Sequence, residues 1–491
     1  MSDRYSIQAF NEPQSQWPTT LLSILEAVLP VKFWVSDQEQ ASISGQMLTA
    51  NRDEATLLDG TTITSLTVPR GKDFAPETKL SDFTVQFSAD PNVPFPFRGR
   101  SLKTQLALVP AILSPRPDER VLASCERGPV WVFSERNATK HFRSGFVLPA
   151  LPPEGGLQDV LSGRRFLEML PLLHWLREIC GHTPPVFCPL RASFIFDDPN
   201  LHWPHYGYVN YRHLAAQAER ENYHVAFATI PLDTWFTHAG TADIFRQHQN
   251  RLSLLVHGNN HAKRELARSY TNAERIYLLK EAIRRIERLE RRSGLTVSRV
   301  MVPPHGACSE EMLATLPACS FEAACISHGS LRAHNKSGPW TRTLGYLPFE
   351  HIRGCPVLPR WGVSGDLRNT ILLAAYLNQA IILRGHHQDL KNGPELLDEL
   401  ARFVNGLGSV AWSNMTEIVR SKSLAGQMIA MNGLTSPIRG NNGPEVKPRG
   451  SLDVAANPVG DRSRHAISSG SILFIRRLLT EGRDRFLLNS R

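Results

Sequence analysis

Four short stretches of this chain gather side chains that can bind a cation and move protons. They are Asp197-Asp198, His257-Gly258-Asn259-Asn260-His261, Pro303-Pro304-His305-Gly306 and Gly385-His386-His387. Two adjacent carboxylates repel as anions, and a divalent cation relieves that repulsion on one while the other remains a base. Taken alone, Asp-Asp-Pro-Asn is an ordinary turn. His257 and His261 are four residues apart, so one helical turn brings both imidazoles to one face. A bare His-x-x-x-His pair is weak as a signal, but this one directly follows the apolar run Leu252-Ser253-Leu254-Leu255-Val256. Imidazole nitrogen with carboxylate oxygen suits a divalent metal ion, zinc first, with cobalt and nickel also accepted. Two histidines and one aspartate leave positions open for water and substrate, which is the pattern of a catalytic site.

Such groups need elements that bring them together. From about residue 190 to 418, short apolar runs alternate with helical stretches. The runs are 193–196, 224–230, 252–256, 297–302, 321–326, 381–383 and 409–412, with 355–359 as a further candidate. Between them, Ile276, Leu279, Ile283 and Ile286 mark one face of a helix, as do Leu397, Leu400, Phe403 and Val404. This alternation predicts an α/β fold of repeated β-α units around a parallel sheet, and seven or eight runs would close a barrel. The candidate groups then fall at the C-terminal ends of strands, where barrels place their chemistry.

The flanks read differently. Residues 1–185 predict a separate strand-rich domain, with strands over 105–109 and 129–133 and a helical link over 165–176 that Pro171 divides. Residues 425–491 are rich in Gly, Pro and Arg and predict a partly disordered extension; its last apolar patch, Ser471 to Ile475, has no evident place.

The order strand–Asp-Asp, strand–His-x-x-x-His, Pro-Pro-His-Gly and a late histidine after a strand resembles the polysaccharide deacetylase superfamily, which removes acetyl groups from chitin, peptidoglycan and related glycans. The resemblance covers roughly residues 190–415. It implies a distorted, partly open β/α barrel, with Asp197 as general base and Asp198, His257 and His261 as metal ligands. It also implies a general acid at His386 or His387; His387 is preferred because Asp389 lies near enough in sequence to orient it. Three departures stand out. Pro199 replaces the usual glycine and leads into Leu201-His202-Trp203-Pro204-His205-Tyr206-Gly207-Tyr208. Val302 stands where the family has an arginine beside the base, which leaves open what group replaces that cation; without one, Asp197 would have a raised pKa. His305 replaces an aromatic residue and joins the candidate substrate contacts. Trp203, Tyr206 and Tyr208 have faces that suit sugar rings; the competing expectation is that they pack a long loop over the barrel mouth.

Composition narrows the partners. The net charge of +9 over 491 residues is modest, and the densest basic run, Arg284 to Arg292, is interleaved with Glu and Leu like the solvated face of a helix, so no nucleic acid partner is expected. Seven cysteines without a close pair argue against a disulfide framework or a thiolate zinc site. No signal-peptide core and no run long enough to span a bilayer is visible, which predicts a cytoplasmic protein. Together these features predict a metal-dependent hydrolase that removes an acyl group from an N- or O-acylated carbohydrate. The alternatives are an amide hydrolase with a non-carbohydrate substrate and an inactive glycan-binding protein.

Overall fold

The computed structural model describes residues 4–10, 17–36, 45–50, 62–69, 81–106, 108–136, 139–181, 189–336, 338–363 and 366–421. The expected extension over 425–491, with its apolar patch, lies outside the described residues.

The N-terminal strands are β1 (Tyr5–Phe10), β2 (Val31–Ser36), β3 (Gly45–Ala50), β4 (Thr62–Val68), β5 (Ser81–Phe87), β6 (Ser101–Leu106), β7 (Arg120–Cys125), β8 (Gly128–Arg136) and β9 (Thr139–Ser144). They form one sheet in the order β2-β1-β3-β4-β9-β8-β7-β5-β6. The half containing β1 to β4 is parallel, and helix α1 (Thr19–Val28) crosses from β1 to β2; the half from β9 to β6 is antiparallel. The strand expected over 105–109 lies earlier and ends at Leu106, ahead of Pro110, which has no N–H to give a ladder.

Helix α2 (Leu170–Ile179) carries Pro171 in its first turn, where a missing N–H costs nothing. The proline therefore starts the helix and does not divide it. Leu170 through Arg177 are all buried, because the helix is covered on more than one side. Trp175 Nε1 donates to Thr64 Oγ1 of β4 at 3.0 Å, and His174 meets Trp131 of β8 edge-on. The Arg177 guanidinium lies 4.5 Å over the Tyr376 ring, which belongs to the helix Arg368–Tyr376.

The second sheet begins with β10 (Leu190–Asp197). A small hairpin, β11 (His205–Tyr206) and β12 (Val209–Asn210), follows, and then helix α3 (Tyr211–Arg220). Next come β13 (Val225–Thr229), α4 (Ala239–Gln247), β14 (Leu252–His257), α5 (Asn272–Ser293), β15 (Val297–Val302) and β16 (Ala323–Cys325). The remaining strands are β17 (Glu350–Ile352), β18 (Cys355–Leu358), β19 (Trp361–Gly362), β20 (Ile381–Gly385) and β21 (Val410–Trp412). The order is β17-β18-β16-β15-β14-β13-β10-β20-β19, with β21 paired to β10; only the β17–β18 pair is antiparallel.

Among the described residues the ladder does not close, since β17 and β19 end the order. Yet β18 and β19, near opposite edges, are joined by only Pro359 and Arg360. In a flat sheet their seven strand spacings would amount to about 34 Å. Three peptide steps reach roughly 11 Å at most. The sheet must therefore curl until its edges nearly meet, as a distorted, incompletely closed barrel. One face of the strands, including Ile195, Ala226, Ala228, Leu255, Val300, Val302, Ala323 and Cys325, forms its own buried cluster with Met415 and Ile418 of the helix Met415–Arg420. The many small side chains suit the crowded inner face of a curled sheet. Alternation places Asp197 on the face of Ile195, and His257 on that of Leu255, at the C-terminal end of this cluster.

Candidate metal centre

Asp197 ends β10 and Asp198 follows it, and continued strand alternation would aim them to opposite faces. The backbone resolves this at Asp198, whose φ is +82°, a left-handed conformation rare for a residue with a Cβ. Its N–H still donates to Ala228 O at 3.2 Å, so the residue stays tied to β13 while its side chain turns out of register. His257 ends β14 and is buried; Gly258 then turns the chain at φ +64°, and His261 sits at φ +58°.

These turns bring Asp198, His257 and His261 together, with their ligating atoms all within 4.8 Å of one another. Asp198 Oδ1 lies 3.3 Å from His257 Nε2 and 3.0 Å from His261 Nε2. His257 Nδ1 donates to the carbonyl of Val302 at 2.9 Å. A carbonyl only accepts, so in the neutral ring Nδ1 holds the proton and Nε2 presents a lone pair. That lone pair points at the buried Oδ1 of Asp198, which His261 Nε2 also faces. Two acceptors facing each other are repulsive unless a cation lies between them. The donor set therefore fits a divalent ion, and the Val302 carbonyl is the outer partner that fixes the tautomer of His257.

Asp197 is buried and accepts two hydrogen bonds from Arg360 Nη1, at 2.8 Å to Oδ1 and 3.0 Å to Oδ2. Burial alone would raise its pKa, but the Arg360 guanidinium, aided by nearby His257, holds the carboxyl below its ordinary value. Arg360 is thus the group that stands in for the arginine missing at Val302, and the raised pKa expected without a cation does not arise. Val302 is fully buried in the inner cluster, and the cation comes from the β18–β19 link. Arg360 is 163 residues from Asp197 in sequence. Its signal was a lone arginine between the apolar runs Val357-Leu358-Pro359 and Trp361-Gly362-Val363: a charge in such a setting requires a partner if it is buried.

His386 and His387 follow β20. Asp389 Oδ2 accepts the His386 backbone N–H at 2.8 Å, closing the short turn His387–Leu390. Asp389 is thus used in capping the turn, and the reason for preferring His387, that Asp389 would orient its ring, does not hold. His387 instead packs under the β11–β12 hairpin. Tyr208 stacks on it at 5.7 Å, Tyr206 meets it edge-on at 5.4 Å, and a Cβ at Gly207 would fall 2.2 Å from its Nδ1. Partial burial pushes the His387 imidazole below its ordinary pKa, against the upward pull of Asp198. His305 is exposed, at φ +57°, with its ring 4.8 Å from that of His261.

Trp203 is 63% exposed, so it does not pack the loop over the barrel mouth. Three residues that sequence reasoning missed extend the same rim. Leu232, Trp235 and Phe236, after β13, are also exposed. His202 contacts both rings, at 5.0 and 5.9 Å, and Leu232 N donates to Asn259 O in the loop between the two histidines. A short apolar stretch after a strand, with no periodicity, gave no sign of that exposure.

No family model matches the sequence, and no curated protein matches it. Solved structures it resembles include ones described as carbohydrate and polysaccharide deacetylases and family 4 carbohydrate esterases. One is Agd3, described as a carbohydrate deacetylase, with 10% identity and a TM-score of 0.49, covering 85% of this chain and 86% of its own. A second is described as a polysaccharide deacetylase of Mycobacterium smegmatis, with 15% identity and a TM-score of 0.37, covering 54% of this chain and 98% of its own. A third is a family 4 pseudoenzyme of Bacillus anthracis, with 12% identity and a TM-score of 0.30, covering 47% of this chain and 66% of its own. At these values the likeness is one of backbone course alone.

Proposed function

We propose that this chain is a metal-dependent hydrolase that removes an acetyl group from an N- or O-acetylated carbohydrate. The reading is carried by one observation: Asp198 Oδ1 faces His257 Nε2 at 3.3 Å and His261 Nε2 at 3.0 Å, beside an Asp197 held ionised by Arg360. Asp198, His257 and His261 would hold the ion, zinc first. When bound, the ion supplies a Lewis acid and makes water a nucleophile near neutral pH. Asp197 accepts the proton of the attacking water, and its contact with Arg360 keeps it ready to do so. His387, or His386 beside it, returns a proton to the leaving amine or alkoxide. Trp203, Tyr206, Tyr208 and His305 line the approach and bind the sugar.

The test is metal content together with acetate release from acetylated chitooligosaccharides and acetylated xylan. Purified protein should carry, or take up, one divalent ion per chain. His261→Ala should lose high-affinity uptake while keeping its circular dichroism spectrum. Wild-type protein that takes up neither zinc nor cobalt overturns the reading. Metal uptake with glycan binding but no acetate release would leave an inactive glycan-binding protein.

Trp203→Ala gives a separate expectation for the rim. An exposed side chain far from the core contributes within about 0.5 kcal/mol to stability, so Tm should hardly move. KM should rise about 2- to 10-fold, the scale of one aromatic contact. An unchanged KM would remove Trp203 from the substrate path.

A further inference from the structure

The loop that carries the two histidines is built around an anion. Glu265 is 1% exposed. Its Oε2 accepts the N–H of Asn259 at 2.9 Å and of His261 at 3.2 Å, and its Oε1 accepts that of Asn260 at 2.7 Å. Three consecutive amides thus converge on one carboxylate, an arrangement that binds anions wherever a backbone curls in this way. The packing is tight: a Cβ at Gly258 would fall 2.5 Å from Glu265 Oε2. Glu265 is itself anchored, since the next residue, Leu266, bridges to Cys308 and accepts the Ser309 N–H. From the opposite side, Arg285 of α5 donates to Asn259 Oδ1 at 2.9 Å and to Asn260 Oδ1 at 2.7 Å. The two asparagines between the histidines are therefore clamped, by an anion on their amides and by a cation on their side chains.

We propose that Glu265 is a positioning residue for the metal centre, acting through the backbone of Asn259 to His261 so that the site is formed before the ion arrives. The inference rests on the metal-dependent reading above. His261 occupies a left-handed conformation that is uncommon for a residue with a Cβ, although histidine visits it more readily than most. Charge-assisted bonds to three amides in series supply the preference. A neutral amide at position 265 cannot supply it, because its NH2 group would confront one of the three N–H donors. A partner one step behind a ligand typically changes metal affinity 10- to 100-fold.

The experiment measures Co2+ affinity of the intact chain, from the visible absorption of the bound ion, for wild type, Glu265→Gln and Glu265→Asp. Melting curves of the metal-free proteins are recorded alongside. Glu265→Gln should bind Co2+ about 10- to 100-fold more weakly, with an altered absorption band, and Glu265→Asp, which keeps the charge at shorter reach, should fall between. Glu265→Gln with a lower Tm and an unchanged affinity would make Glu265 merely structural and overturn the proposal. Amide exchange of metal-free wild type covers the case in which the Gln variant does not fold. The N–H groups of Asn259, Asn260 and His261 should be protected before any ion is added; protection that appears only with Co2+ overturns preorganisation. Wild-type protein that binds no Co2+ or Zn2+ overturns this proposal and the functional reading together. Binding without any acetate release overturns only the latter.

Discussion

Asp197→Asn and Asp198→Asn should fail in different ways, although the two side chains are neighbours and the substitutions are the same. Asp197 touches Arg360, not the histidines; Asp198 Oδ1 is the atom that faces both histidine Nε2 atoms. Asp197→Asn keeps the shape and an acceptor for Arg360 but cannot take a proton. It should retain the metal and lose about 10²- to 10⁴-fold in turnover, the usual range for a general base. Asp198→Asn removes the charge that balances a dication. It should lose metal affinity as well, with activity partly regained at high metal concentration. Metal content and kcat/KM for both variants, on a substrate first shown to turn over with wild type, separate the two. If Asp197→Asn keeps full activity, Asp197 is structural and the base must be sought at His202, His205 or His305.

The difference between these two residues shows what a sequence can carry. Strand ends were legible because apolar runs stop abruptly at Phe196, Val256, Val302 and Leu383, with a polar group directly after each or, after Val302, three residues on at His305. The His257 and His261 pair was legible as a pair, but the helical turn expected between them is instead a loop with left-handed residues at Gly258 and His261. What lay beyond reach was contact across the curl of the sheet. Arg360 reaches Asp197 only because β18 and β19 lie near opposite edges and are joined by two residues. No spacing rule encodes that closure. The left-handed turn at Asp198 was equally hidden, since Asp before Pro reads as a turn without saying which way the carboxylate will face. Asp389 shows the opposite error: proximity in sequence suggested a partner for the His387 ring, but the tight turn spends that carboxylate on the His386 amide. Arg285 likewise read as part of a solvated basic face, while one of its nitrogens holds both asparagines of the histidine loop.

Arg360→Met is expected to be the most damaging single change outside the ligands, for stability and for turnover. Arg360 is 3% exposed and Asp197 5%, so water can replace neither partner. Breaking such a pair from one side leaves a buried charge without compensation, at a cost of about 3–5 kcal/mol. Removing both charges at once should cost much less, because nothing buried is then left unbalanced. The double variant Asp197→Asn/Arg360→Met should accordingly be more stable in denaturant unfolding than Arg360→Met alone, even though it carries an additional substitution. Simple additivity of the two single losses would show that the pair is not coupled. Metal uptake should survive in Arg360→Met, since Arg360 makes no hydrogen bond to Asp198, His257 or His261 among the described residues. Turnover should not survive, because the base loses the guanidinium that orients it. Arg360→Lys returns the charge on a different stem with a different fork, so it should recover stability before it recovers rate. A variant that binds metal normally, folds, and is still inactive would place the fault at the proton-accepting carboxylate and not at the ion.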